Sequence, residues 1–157
     1  MAPGGPMVDV PEAEAIALLS QPLVCADAPA WSFNKLKPGL AVLECGLISE
    51  KGIRSGLRLQ LVFARSPKTR FVTFKFTVFK MNLGAPQRIY QIQVNAVARK
   101  PKNWHDLVHE HMGDAKIPGS DEWLSWGFQE AMDYFSKRAN ITFLPPIPDP
   151  EQFELTP

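Results

Sequence analysis

Between Ser55 and Arg99 the chain alternates apolar and polar residues three times over. A half-buried β-sheet is the structure that accommodates this period of two. In the first run Leu57, Leu59, Leu61 and Phe63 point one way, Arg58 and Gln60 the other. In the second, Val72, Phe74, Phe76 and Val78 oppose Thr73, Lys75 and Thr77. The third sets Tyr90, Ile92, Val94 and Ala96 against Gln91, Gln93, Asn95 and Arg99. Successive strand side chains leave opposite faces, so each run offers one face to a core and one to water, as in an antiparallel sheet covered on one side. The intervening SPKT and MNLGAP are short and rich in turn formers, so the runs join as hairpins in a meander. A mostly apolar run, LAVLECGL at 40–47, adds a fourth strand.

Two helices are expected to cover the apolar face. The stretch VPEAEAIALLSQPL places Pro11, Glu12 and Glu14 in a first turn, follows with Ile16, Leu18 and Leu19, and ends before Pro22. The stretch GSDEWLSWGFQEAMDYFSKRANI starts from Ser120 as N-cap, with Asp121 and Glu122 in the first turn and Lys137 and Arg138 at the negative end of the helix dipole. Leu124, Phe128, Ala131 and Phe135 fall on one stripe of that helix, flanked by Trp123 and Tyr134. The expected fold is α+β: a mainly antiparallel sheet of four or more strands packed against a long C-terminal helix and a short N-terminal helix. The 157 residues suffice for one core, and the division expected is a flexible extension over 1–10, a single α+β domain over 11–144, and an extended, proline-rich acidic tail over 145–157.

Charge is distributed unevenly along the chain. From Lys51 to His105 there are twelve basic residues and no acidic one. Residues 1–50 carry two lysines against six carboxylates, and residues 106–157 three basic side chains against ten acidic. Clustered positive charge attracts phosphate chains, which points to nucleic acid, RNA ahead of DNA, as partner. Arg58, Lys75, Arg99, Lys100, Gln91 and Gln93 are the candidate contacts, a mixture of cations and amides suited to phosphates and base edges. Two alternatives remain open. In one, the acidic ends pack beside the basic centre and neutralise it within one molecule; in the other, the basic sheet docks an acidic protein partner.

The chain has no Gly-rich phosphate loop, nucleophile elbow or paired CxxC, which disfavours a nucleotide hydrolase, a common serine hydrolase and a zinc ribbon. Cys25 and Cys45 match no metal spacing, and one pair is a slender basis for a disulfide framework. The first residues have neither a basic start nor an apolar stretch, and no run reaches the roughly 18 apolar residues of a membrane span, so a cytoplasmic protein without membrane contact is expected.

Every histidine of the chain lies in NWHDLVHEHMGD, residues 103–114. The apolar period favours a helix capped by Asn103 and stopped at Gly113, which buries Trp104, Leu107, Val108, His111 and Met112 and leaves His105 and His109 on the polar side. The spacing of His105 and His109 then matches a helical zinc motif, with Asp106 in place of its glutamate and no third ligand. No cofactor is expected, with zinc on these two histidines as the alternative. As an extended segment, His105, His109 and His111 share one face and suit metal-independent cleavage of RNA, two imidazoles acting as base and acid with Lys102 as a nearby cation. The plainest alternative is a polar segment whose histidines are solvated or hydrogen-bonded in the core.

The segment from Ile89 onward resembles a family of small, poorly characterised bacterial proteins. The resemblance is carried by His109 and His111, the Gly113–Asp114 pair, Asn140–Ile141 and the run Pro145, Pro146 and Ile147. In that family the His-x-His element lies on a strand. The resemblance implies a bacterial or phage protein of the toxin, antitoxin or phage-defence kind and supplies no activity.

Overall fold

A computed structural model of the chain describes residues 8–95, 100 and 102–153. Its described elements run β1 (Val8–Asp9), α1 (Glu12–Leu19), β2 (Leu23–Ala26), β3 (Ser32–Phe33), β4 (Leu40–Ser49), β5 (Arg54–Arg65), β6 (Val72–Asn82), β7 (Ala85–Asn95), β8 (Val108–Met112), β9 (Ala115–Pro118), α2 (Phe128–Ala139) and β10 (Ile141–Leu144). Short 3-10 turns lie at Trp104–Asp106, Asp121–Ser125 and Pro150–Gln152. The class is α+β, with ten described strands in one mainly antiparallel sheet ordered β10-β2-β4-β5-β6-β7-β8-β9. From β4 to β9 neighbours in sequence are neighbours in space; β4 to β7 are the expected meander, and β8 and β9 continue it. Of the two strands outside that eight-strand order, β1 pairs with β7 and β3 with β4; the pairings of β10 with β2 and of β1 with β7 are parallel.

The alternation read from the sequence sorts the two faces. Leu59, Leu61, Phe63, Phe74, Phe76, Val78, Tyr90, Ile92 and Val94 are buried on the inner face. Phe128 of α2 meets Phe74 and Phe76, each with ring centroids 5.9 Å apart, and Phe135 packs 5.6 Å from Phe76 and 5.7 Å from Tyr90. Such contacts contribute about 0.5–1.5 kcal/mol per pair beyond area burial. Ala15 and Leu19 bring α1 into the same core, whereas Ile16 is exposed. Between Val78 and Phe79 the register of β6 against β7 shifts, so Ile89 and Tyr90 are both buried in the core while Arg88 pairs with Phe79.

Two expectations are corrected. The C-terminal helix is not long: Asp121–Ser125 forms a 3-10 turn, Trp126 is extended at ψ 138°, and α2 begins after Gly127 and spans 12 residues. The break seats Trp123 and Trp126 as a stacked pair, with centroids 4.7 Å apart, against Tyr134. Glu130 then accepts the Gly127 N–H at 3.0 Å and caps the shorter helix. The histidine segment is not a helix from 104 to 112: the turn Trp104–Asp106 gives way to strand β8, paired with β7 and β9.

The chain before α1 is held by the β8–β9 turn. Asp114 accepts the Glu12 N–H at 3.0 Å, doing for α1 what the side chain of Pro11 cannot. Gly113 has φ +56°, and a Cβ there would meet the carbonyl oxygens of Val10 and Pro11 at 2.6 and 2.8 Å. Residues 145–153 lie against the domain: Ile147 joins the core, the Trp31 indole N–H donates to the Pro148 carbonyl at 2.8 Å, and Arg65 pairs with Glu151. Gly113→Ala is therefore expected to destabilise the chain by about 2 kcal/mol or more. Gly52→Ala, at φ +80° with nothing within 4 Å, carries only the conformational part. Denaturant unfolding checks this, and equal losses for the two variants would refute the close approach at Gly113.

Candidate functional site: the outer sheet face and its histidine pair

The registers place the outward residues in cross-strand rows. One row runs Glu44, Gln60, Thr77, Gln91, His111, Lys116, and the next runs Val42, Val62, Lys75, Gln93, His109, Pro118. A third holds Gly46, Arg58, Phe79, Arg88 and Asp9. Of the sequence-derived candidates, the face brings together Arg58, Lys75, Gln91, Gln93, His109 and His111. Lys100 lies apart from the rows, 3.4 Å from Asp121 and over the Trp104 ring at 5.6 Å, and Lys102 is exposed in the turn before Trp104. His105 belongs to the Trp104–Asp106 turn, so it does not share the strand that carries the other two histidines; its side chain, and Arg99, lie outside the described residues.

His109 and His111 stand two residues apart on β8 with ring centroids 4.9 Å apart at 87°. Beside them runs a hydrogen-bonded chain. The Arg88 guanidinium grips both carboxylate oxygens of Asp9 at 2.6 and 3.0 Å and donates to Gln91 Oε1 at 2.9 Å, and Gln91 Nε2 donates to Thr77 Oγ1 at 2.7 Å. Gln91 is only 4% exposed and His109 7%. His109 Nδ1 and the neighbouring Asn95 Oδ1 are buried without a hydrogen-bond partner. Burial, then the charges of Lys116 and Arg88, lower the His109 pKa below 6.5 against the opposing pull of Asp106. Burial, then Arg88 and His109, push His111 down to about 4. Both rings are neutral at pH 7, so they offer an N–H donor and a lone pair rather than a charge.

On the opposite side of the same strand, Glu110 faces the core, 4% exposed. It accepts from the Tyr90 hydroxyl at 2.9 Å, the Tyr134 hydroxyl at 2.5 Å and Arg138 Nε at 3.0 Å. Burial, with the adjacent carboxylate, raises both phenol pKa values, and the hydrogen bond and charge of Glu110 raise Arg138 against the effect of its own burial. Sequence reading missed this cluster, as it missed the Arg88–Asp9 pair, because both depend on partners brought together by the fold. The alternation within VHEHM is the one local signal that Glu110 turns inward.

Ion pairs join the basic centre to the acidic ends: Arg65 to Glu151, Lys80 to Glu14, Arg88 to Asp9 and Lys100 to Asp121. Arg58 and Lys75 are exposed on the outer face and make no ion pair with a carboxylate among the described residues. Among those residues no group of three or more His, Cys, Asp or Glu side chains is arranged to hold a metal ion, and no helix is long and apolar enough to cross a membrane. Comparison of the chain with models of protein families, with curated proteins and with solved structures gives no match.

The lowered pKa of His111 fixes the sign of a pH effect. The unfolded chain takes a proton there near 6.5 and the folded chain only near 4, so the unfolded state binds more protons between those values. Stability from this residue is full above pH 6.5 and is lost as pH falls toward 4. A proton-NMR titration is expected to place the His111 midpoint near 4, and His111→Gln to flatten the unfolding free energy across the window. A midpoint at or above 6.5 would show that Arg88 and burial do not act on this ring as described.

Proposed function

We propose that the outer face of the sheet binds nucleic acid, RNA in preference to DNA. Arg58 and Lys75 meet phosphates, and Gln93, His109 and His111 hydrogen-bond to sugars and bases. The observation that carries this reading is that carboxylates of the acidic ends pair with Arg65, Lys80, Arg88 and Lys100, while Arg58 and Lys75 on the outer face stay exposed and unpaired with carboxylates among the described residues. Amides and neutral imidazoles both donate and accept, which suits them to the 2′-hydroxyl that separates RNA from DNA. The depressed histidines favour binding over cleavage, because acid–base hydrolysis of a phosphodiester needs one imidazole to carry a proton. No metal enters this reading. The toxin, antitoxin or phage-defence setting implied by the resemblance remains part of it.

Fluorescence anisotropy with single-stranded RNA, repeated across salt concentrations, tests the proposal. Arg58→Ala combined with Lys75→Ala is expected to weaken binding and to lower the slope of log affinity against log salt by about 1.4, two counterions' worth for a single strand. Affinity and slope unchanged from the parent chain would overturn the reading and turn the search to an acidic protein partner. The same RNA, end-labelled, is expected to stay intact on a denaturing gel with or without chelator. Cleavage that survives chelator and disappears in His109→Ala would instead make the histidine pair an acid–base site.

A further inference from the structure

The two cysteines stand twenty residues apart in sequence and meet in the fold. Cys25 lies on β2 and Cys45 on the adjacent strand β4. The recorded pairs between those strands end at Val24 with Ile48, and the register of β4 against β5 shifts between Gly46 and Ile48. At that irregularity the two Sγ atoms approach to 2.9 Å, one S–H donating to the other sulfur. A disulfide needs about 2.05 Å, so bonding asks the sulfurs to move less than about 1 Å.

Their surroundings differ. Cys25 is 1% exposed in the core, whereas Cys45 is half-buried and packs at the core's margin. The Arg58 guanidinium lies over the neighbouring Gly46, where a Cβ would meet Nη1 at 3.7 Å. The hydrogen bond from Cys25, helped by the charge of Arg58 and opposed by burial, favours a thiolate at Cys45, while the same bond and burial hold the proton on Cys25. The more accessible sulfur is thus also the more nucleophilic, and the buried one is poised beside it as a protonated partner.

We propose that Cys25 and Cys45 form a peroxide-oxidised dithiol pair, Cys45 attacking and Cys25 resolving, that closes a reversible disulfide between β2 and β4. The Cys45 thiolate attacks one oxygen of hydrogen peroxide and breaks the O–O bond; the departing hydroxide takes a proton from solvent and leaves as water, and Cys45 becomes a sulfenic acid. Cys25 sulfur then attacks the Cys45 sulfur, the S–O bond breaks, and the hydroxide leaves with the Cys25 proton as a second water. Two thiols are oxidised by two electrons, one peroxide is reduced to two waters, and a dithiol reductant reverses the step. The bond ties β2, and through it β10, to the meander. This inference stands apart from the nucleic-acid reading, since neither cysteine is a proposed contact.

The test uses the full chain, reduced, desalted and treated with near-stoichiometric hydrogen peroxide. Titratable thiols are expected to fall from two per chain to none, the intact mass to drop by two hydrogen atoms, and a non-reduced digest to yield one peptide pair joining Cys25 to Cys45. Dithiothreitol should restore both thiols. Cys25→Ser removes the resolving sulfur, so Cys45 should stop at sulfenic acid and take a dimedone label; Cys25→Ala serves the same purpose should a hydroxyl disturb the buried site. Cys45→Ser should leave Cys25 unlabelled. Two thiols surviving in the parent chain, a product heavier by oxygen, or a linkage between chains would overturn the proposal, and a dimedone label on Cys25 in Cys45→Ser would overturn the order of attack.

Discussion

The buried carboxylate of Glu110 is the constraint on which the arrangement of both faces depends. A carboxylate taken out of water is costly unless its lone pairs are filled, and removing one partner of a buried pair costs about 3–5 kcal/mol. Here Tyr90 reaches it from β7, and Tyr134 and Arg138 from α2, so one side chain ties two strands and a helix together. It also fixes the register of β8. A slip by one residue would turn Glu110 to the outer face and bury His109 and His111 against Phe135 and its neighbours, leaving two phenols and a guanidinium without their acceptor.

With that register set, the sheet divides its chemistry by face. The inner face is apolar and aromatic apart from the Glu110 cluster, and the helices close over it. The outer face carries polar groups that the sheet organises laterally. Asp9, Arg88, Gln91 and Thr77 form one hydrogen-bonded line across β1, β7 and β6, with Gln91 opposite His111. Fully bonded lines of this kind hold side chains in one arrangement. The unequal charge of the linear sequence is partly resolved in the same way: acidic residues from both ends reach back to Arg65, Lys80, Arg88 and Lys100 of the centre, and Arg58 and Lys75 keep their charge on the outer face.

The strands of the meander and their faces were legible because alternation is a local property, and Leu57 to Phe63, Phe74 to Val78 and Tyr90 to Val94 are buried as that period requires. Residues 104–112 misled because Trp104, Leu107, Val108, His111 and Met112 also satisfy a helical period, and the competing strand reading needs a glutamate to face inward. Its donors lie 20, 24 and 28 residues away, beyond any local pattern. Strand β2 and strand β10 were missed for a similar reason: each is four residues long, and they support one another as a parallel pair formed across most of the chain. Several motif residues turn out to have structural work. Gly113 admits the backbone before α1, Asp114 caps that helix, Asn140 ends α2 at φ 58° and bonds the Leu19 carbonyl, and Ile147 is core. A short motif of this kind therefore does not of itself mark a reactive site.

The same distinction governs the histidines. Their neutrality follows first from burial and then from cations that are already committed, Arg88 to Asp9 and Lys116 to Asp106 at 3.5 Å. Burial, helped by the potential of those cations, keeps protons off both rings, so the pair has hydrogen-bonding capacity without charge. Arg58 and Lys75 have the reverse character, charge held in water without a carboxylate partner among the described residues. An extended polyanion crossing β5 to β8 would meet both kinds of group in turn, long-range attraction from the exposed cations and directional contacts from Gln93 and the imidazoles. On the reading proposed above, affinity would be set by the first and choice of ligand by the second, because salt screens exposed cations more than it does directional hydrogen bonds.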